Sequence, residues 1–186
     1  LGWEVEGVEP DSKAAALARS EVGDCIQEAS FEEAQIEPDS FDVITLNHIV
    51  EHVSDPDLLL ERCHECLREG GHVVLRTPNF ESLGHRVFKE SWQSLDVPRH
   101  LHVFSRESIV HIAEGAGFKV EKLRTVPRDA HVVFSRSKSL RRVDASAGNR
   151  RNITGVLQGV LFLLVEHLYL CVNCDCGEEL ALASFL

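Results

Sequence analysis

The strongest constraint on the fold lies in residues 40 to 79, SFDVITLNHIVEHVSDPDLLLERCHECLREGGHVVLRTPN. FDVITLN (41 to 47) and HVVLRTPN (72 to 79) are nearly continuous apolar runs, the pattern of strands buried on both faces of a parallel sheet. Between them Asp55-Pro56 opens a segment carrying Leu59, Leu60, Cys63 and Leu67 on one face. This predicts a helix that starts at Ser54 or Asp55 and ends at Gly70-Gly71. A strand, a helix and a strand in this order make a βαβ unit, whose two parallel strands are joined by a right-handed crossover.

The alternation extends both ways. Residues 1 to 9, LGWEVEGVE, carry a strand-like pattern, and SKAAALARSE (12 to 21) reads as a helix opened by Asp11 or Ser12 and closed near Gly23. Asp24 to Phe31 offers a short strand. After Asn79 the pattern loosens into a loop-rich excursion over 80 to 104, containing Trp92 and DVPRHLHVFS (96 to 105). A helix capped by Ser105 and ended by Gly115 or Gly117 follows, then an alternating strand over 118 to 126 and a closing strand in EELALASF (178 to 185). The reading is an α/β chain with a mostly parallel sheet.

At 186 residues the chain suits one domain, able to bury roughly two thirds of its unfolded surface. The net charge of -11 argues against a general nucleic-acid binder, which would cluster Lys and Arg against phosphates. The charge is uneven: residues 1 to 80 hold 5 basic and 18 acidic side chains, and residues 81 to 186 hold 14 and 12. Six Cys and no signal peptide point to a reducing, cytoplasmic setting. The chain has no Met and starts at Leu1 inside a strand-like pattern, so a missing N-terminal portion is expected.

In open α/β sheets the ligand lies beyond the carboxyl ends of the strands. Asn47, His48, Glu51 and His52 follow one such end, and Glu9 follows another. An acid in the position of Glu9, about 20 residues beyond a glycine-rich loop, binds ribose hydroxyls in dinucleotide-type folds.

Together, GVEPDSKAAALA, SFDVITLNHIVEHVSDPDLLLERCHECLREGGHVVLRTPN and DVPRHLHVFS with its following AGF resemble the class I S-adenosylmethionine-dependent methyltransferases. Within them the resemblance is to the small-molecule group with EHhxDP and PRHLxxFS motifs, and it covers residues 2 to 127. It implies a Rossmann-like doubly wound sheet, here without its first strand and glycine-rich loop, which are expected upstream of Leu1. It also implies S-adenosylmethionine as cofactor and O- or C-methylation of a small-molecule acceptor. By the same resemblance Glu9 holds the cofactor ribose, Ser30 and Phe31 flank the adenine, and Asn47 and His48 line the methionine half.

An oxygen nucleophile must lose a proton, and His is the natural base. The candidates are His100, in the stretch that the resemblance makes a substrate cap, and His48 and His52, which share a face if their segment is helical. Two other readings stay open: a catalytically silent methyltransferase-like interaction or membrane-associated module, and a nucleotide-cofactor oxidoreductase.

A metal site from Glu51, His48, His52, His100 and His102 is conceivable from ligand type and spacing. The Glu-His pair belongs equally to the methyltransferase motif, and no metal is expected. Cys63 and Cys66 at CxxC spacing, with Cys171, Cys174 and Cys176, could form a thiolate site. Cys63 falls on the apolar helix face, however, and reads as a small hydrophobe. Residues 136 to 151 hold six Arg or Lys against one Asp, and ITGVLQGVLFLLVEHLYLCV (153 to 172) reads as an apolar helix. For 136 to 172 three readings stay open: packing on the domain or on a second copy as a homodimer, contact with an anionic membrane surface, and a membrane span.

Overall fold

The computed structural model describes residues 2–127, 130–143 and 179–185. The apolar stretch 153 to 172, the basic stretch beyond residue 143, and Cys171, Cys174 and Cys176 lie outside them. Among the described residues no helix is long and apolar enough to cross a membrane.

The predicted βαβ unit is present. Strand β3 (Phe41–Asn47), helix α2 (Pro56–Cys66) and strand β4 (Leu67–Pro78) follow one another, and β3 pairs in parallel with β4 from Val43↔His72 to Asn47↔Arg76. Asp55 caps α2 by accepting from Leu58 N at 3.0 Å, with Pro56 in the first turn. The helix ends at Cys66, earlier than the glycines suggest. The reason is competition from the sheet: Leu67 pairs with Phe41, and the ladder then shifts register before His72 meets Val43. Gly70 and Gly71 occupy that irregularity. Gly70 is left-handed at φ 76°, and a Cβ on Gly71 would lie 2.8 Å from the Arg68 carbonyl. Glycine therefore marks a bulge here, not a helix end.

Strand β5 (Lys119–Val126) is preceded by helix α4 (Arg106–Gly115), which Ser105 opens with a capping box to Ser108. Strand β6 (Glu179–Phe185) inserts between β4 and β5, antiparallel to both, giving the order β3-β4-β6-β5. One face of this sheet carries Leu46, Val73, Leu75, Leu180 and Leu182 into a core with Leu60 of α2 and Ile109 of α4. The other face is open among the described residues: Val43 is 37% and Val74 38% exposed.

Strand β3 was expected to be buried on both faces, and it is not. It is an edge strand of this sheet, and of its seven residues only Leu46, at 6% exposure, is buried. The apolar run reflects one covered face and one ladder partner. Strands β1 (Gly7–Val8) and β2 (Ile26–Gln27), joined by α1 (Ser12–Val22), form a separate parallel pair. Both are shorter than the sequence pattern suggests, and Trp3 and Val5 before β1 are 69% and 58% exposed.

The excursion after Asn79 is more ordered than its composition implies. Phe80 N donates to Phe104 O at 2.9 Å and closes its base. Inside lie α3 (Leu83–Phe88) and two 3-10 turns, Lys89–Ser91 and Gln93–Leu95. Helix α5 (Ala130–Val143) packs over them, and its second half takes in the start of the basic stretch that begins at residue 136. Trp92, Phe88 and Val133 form a second small core, and Gln93 N donates to the buried Ser137 hydroxyl at 2.9 Å. Arg141 lies 5.0 Å over the Phe88 ring, so part of the basic character covers apolar surface.

Candidate functional site

At the carboxyl end of β3 the chain must leave the sheet, and His48 makes the turn in the left-handed region at φ 56°. That conformation costs a non-glycine residue about 1–3 kcal/mol and persists only when its surroundings enforce it. Here they do. His48 N donates to Arg76 O at 2.9 Å, its Nδ1 lies 3.0 Å from Glu51 Oε1, and its Nε2 lies 3.3 Å from Glu179 Oε1.

The turn drives Val50 and Glu51 inward, both with 0% exposure. A buried carboxylate is costly unless satisfied. Glu51 accepts from His48 on one oxygen and from Thr77 Oγ1 at 3.0 Å on the other, while its backbone carbonyl accepts from Leu101 N at 2.8 Å and His102 N at 3.2 Å. The PRHL stretch is thereby fastened to the end of β3. Glu179, the first residue of β6, also holds the Arg76 guanidinium.

Two carboxylates around one imidazole fix its charge. Hydrogen bonding to Glu179, then to Glu51, outweighs burial and raises His48 from 6.5 to about 9. Burial opposes the charge on Glu179, yet hydrogen bonds from His48 and Arg76 hold its carboxyl below the usual range. His48 and Arg76 thus face Glu51 and Glu179 as two cations against two anions.

Next to this cluster, the His52 and His100 rings meet edge to face with centroids 4.7 Å apart. His52 Nδ1 contacts the Arg99 carbonyl at 2.9 Å, and His100 Nδ1 contacts the Ser94 carbonyl at 2.7 Å. A carbonyl only accepts, so each Nδ1 carries its proton and each neutral ring keeps its lone pair on Nε2. Glu51, His52 and His100 place ligand-type atoms within 4.8 Å of one another. The Glu51 oxygens are already engaged by His48 and Thr77, which describes a hydrogen-bonded acid–histidine cluster.

The remaining candidates occupy other elements. Glu9 follows β1, and its Oε1 accepts from Asp11 N at 2.9 Å at the start of α1. Ser30 donates to Glu33 at 3.2 Å, and Phe31 packs on the main core with Arg62 5.3 Å over its ring. Asn47 is exposed at the last position of β3. Sequence reasoning missed Arg76, Thr77 and Glu179. Two signals were available: an Arg inside an otherwise apolar strand, and an acid heading another. Cys63 and Cys66 are both buried in α2, and burial pushes the Cys63 thiol up to about 12 and raises that of Cys66. These are the marks of packed, unreactive thiols.

Residues 1–123 match the model of a family described as a methyltransferase domain. A ubiquinone biosynthesis O-methyltransferase of Cupriavidus pinatubonensis is 34% identical over 136 residues, covering 67% of this chain and 55% of that protein. One of the same name from Paraburkholderia phymatum is 29% identical over 126 residues, covering 63% of this chain and 53% of its own length. The chain therefore spans about half the length of these curated relatives. Among solved structures, a SAM dependent methyltransferase from Archaeoglobus fulgidus superposes with a TM-score of 0.61 at 18% identity, covering 100% of this chain and 77% of that one. Phosphoethanolamine N-methyltransferase 2 of Haemonchus contortus, in complex with S-adenosyl-L-methionine, gives 0.60 at 19% identity, covering 99% and 43%. At such identities these two likenesses speak for the fold.

Proposed function

This chain belongs to the class I S-adenosylmethionine-dependent methyltransferase family, and from that premise we propose that it serves transfer of a methyl group to an oxygen of a small-molecule acceptor. The observation that carries the reading is the His52–His100 pair beyond the carboxyl end of β3. Each ring keeps an Nε2 lone pair because its Nδ1 is committed to a backbone carbonyl. The names of the curated relatives support an oxygen acceptor.

The cofactor supplies a methyl group already activated on a sulfonium, which leaves the protein the tasks of positioning and deprotonation. His100 is our choice for the base, with His52 beside it as second candidate. His48 is poorly suited, because a ring held protonated by two carboxylates has no lone pair to accept with. Its part is to shape the end of β3 next to Asn47.

The residues present fit the cofactor's parts. Glu9 Oε1 takes the Asp11 amide, leaving the second carboxylate oxygen suited to ribose hydroxyls. Phe31 offers a half-buried apolar ring to the adenine beside the Ser30 hydroxyl. Asn47 offers its exposed side chain to the methionine half, and His48, whose ring nitrogens are held by Glu51 and Glu179, shapes the turn beside it.

Titration calorimetry with S-adenosylmethionine and its demethylated product tests the first step, and methyl transfer to a panel of small-molecule hydroxyl acceptors tests the second. Absence of heat with either compound would remove the enzyme reading. Binding without transfer to any hydroxyl acceptor would remove its oxygen specificity.

A further inference from the structure

Four elements meet around His48 in one chain of contacts. Arg76 of β4 holds Glu179 of β6, Glu179 holds His48 Nε2 at 3.3 Å, and His48 Nδ1 holds Glu51 at 3.0 Å. The Glu51 backbone carbonyl then accepts from Leu101 and His102 at 2.8 and 3.2 Å, directly after His100. Thr77 of β4 fixes the second Glu51 oxygen at 3.0 Å.

The β4–β6 ladder is paired along its whole length, from His72↔Phe185 to Pro78↔Glu179, and the Arg76–Glu179 ion pair is added at its end. A carboxylate that is nearly buried and shared by two cations is costly unless its geometry is kept. That geometry does not end in the sheet; it runs on into the loop bearing His100.

We propose that Glu179 and Arg76 are positioning residues of the active site, acting through His48 and Glu51 to set the PRHL loop and with it the His100 ring. The inference rests on the methyl-transfer reading for its functional consequence and on geometry alone for the linkage. Glu179 does not touch the His100 ring. Its effect passes through the His48 imidazole to the Glu51 carboxylate, and from the Glu51 backbone carbonyl to the loop.

The test is Glu179→Gln in the full chain, read by histidine side-chain 1H–15N correlation spectra and by turnover. The substitution keeps shape and removes charge. Expected are displaced ring signals for His52 and His100 as well as His48, and a fall in turnover of about 100-fold, the scale on which small misplacement of reacting groups acts. The loss should fall on kcat more than on the acceptor KM. A folded variant whose His52 and His100 signals stay at their wild-type positions overturns the proposal, as does unchanged turnover.

If the variant fails to fold, the wild-type protein answers. Raising the pH through about 9 discharges His48, which faces Glu51, Glu179, Arg76 and Thr77. The His52 and His100 signals should move with it, and signals that ignore this titration overturn the linkage. Failure of the methyl-transfer reading shows separately, as no turnover by wild-type protein, and leaves the spectra to decide the positioning claim.

Discussion

His48 Nε2 lies 3.3 Å from Glu179 Oε1, so the residue that turns the chain out of β3 is held by the first residue of β6. The cation at that turn has a carboxylate on each ring nitrogen, and its protonation is a property of the fold.

Stability should therefore fall on the alkaline side. His48 is raised from 6.5 to about 9 in the folded state, so its contribution is complete below pH 6.5 and is lost as the pH climbs through about 9. A folded-state pKa above the unfolded one has this sign. The ring is 37% exposed, so screening by water keeps the effect near 1 kcal/mol. Thermal melts from pH 6 to 10 measure it, and His48→Gln should flatten the slope in that window. On the acid side Glu179 acts in the opposite sense: its stabilisation is present above the usual carboxylate range and goes as the pH drops through its lowered value.

Replacing His100 by Gln should lower turnover by about 10² to 10⁴, the usual weight of a positioned general base. Affinity for S-adenosylmethionine should stay close to wild type. Single-turnover kinetics alongside calorimetry separates these quantities, and equal loss in both would assign His100 to binding.

Glu9→Gln should show the reverse division. Losing a charged acceptor for ribose hydroxyls costs about 1.5–3 kcal/mol, a weakening of cofactor binding of about tenfold or more. Turnover at saturating cofactor should change little. Because Glu9 also accepts from the Asp11 amide at 2.9 Å, a circular dichroism spectrum of the variant checks that α1 is intact.

Trp92→Ala should destabilise by about 3–5 kcal/mol, the cost of truncating a buried aromatic. Trp92 is 1% exposed between α3 and α5. Urea titration gives the magnitude. Its location near α5 predicts that amide exchange over 130–143 rises further than over β4.

Cys63 and Cys66 should resist alkylation in the native state and react once the chain unfolds. Both are buried, and burial raises both thiols. Peptide mapping after iodoacetamide treatment, with and without urea, reads this directly.

The βαβ unit and both helix caps at Asp55 and Ser105 were legible in the sequence because they depend on neighbours within a few residues. The resemblance pointed to residues at or just beyond the ends of the first three strands, from Glu9 through Ser30 and Phe31 to Asn47 and His48. Other features were hidden by their reach. The edge position of β3 depends on which strands flank it, which an apolar run does not encode. Helix α5 shows a weak pattern because Arg141 and Ser137, polar by type, serve as cover and as hydrogen-bond partner. Glu179 was read only as part of a strand, since its partners Arg76 and His48 are brought to it by the sheet order.

That order has a consequence for how the molecule is made. β5 leaves the ribosome before β6, yet β6 occupies the place between β4 and β5. The emerging β5 has no ladder to join until the later strand arrives, and the ion pair that completes the site joins residues separated by 103 positions. Long-range pairings of this kind are slow to form. During synthesis His48 and Glu51 therefore wait, half-neutralised, for the part of the site translated last.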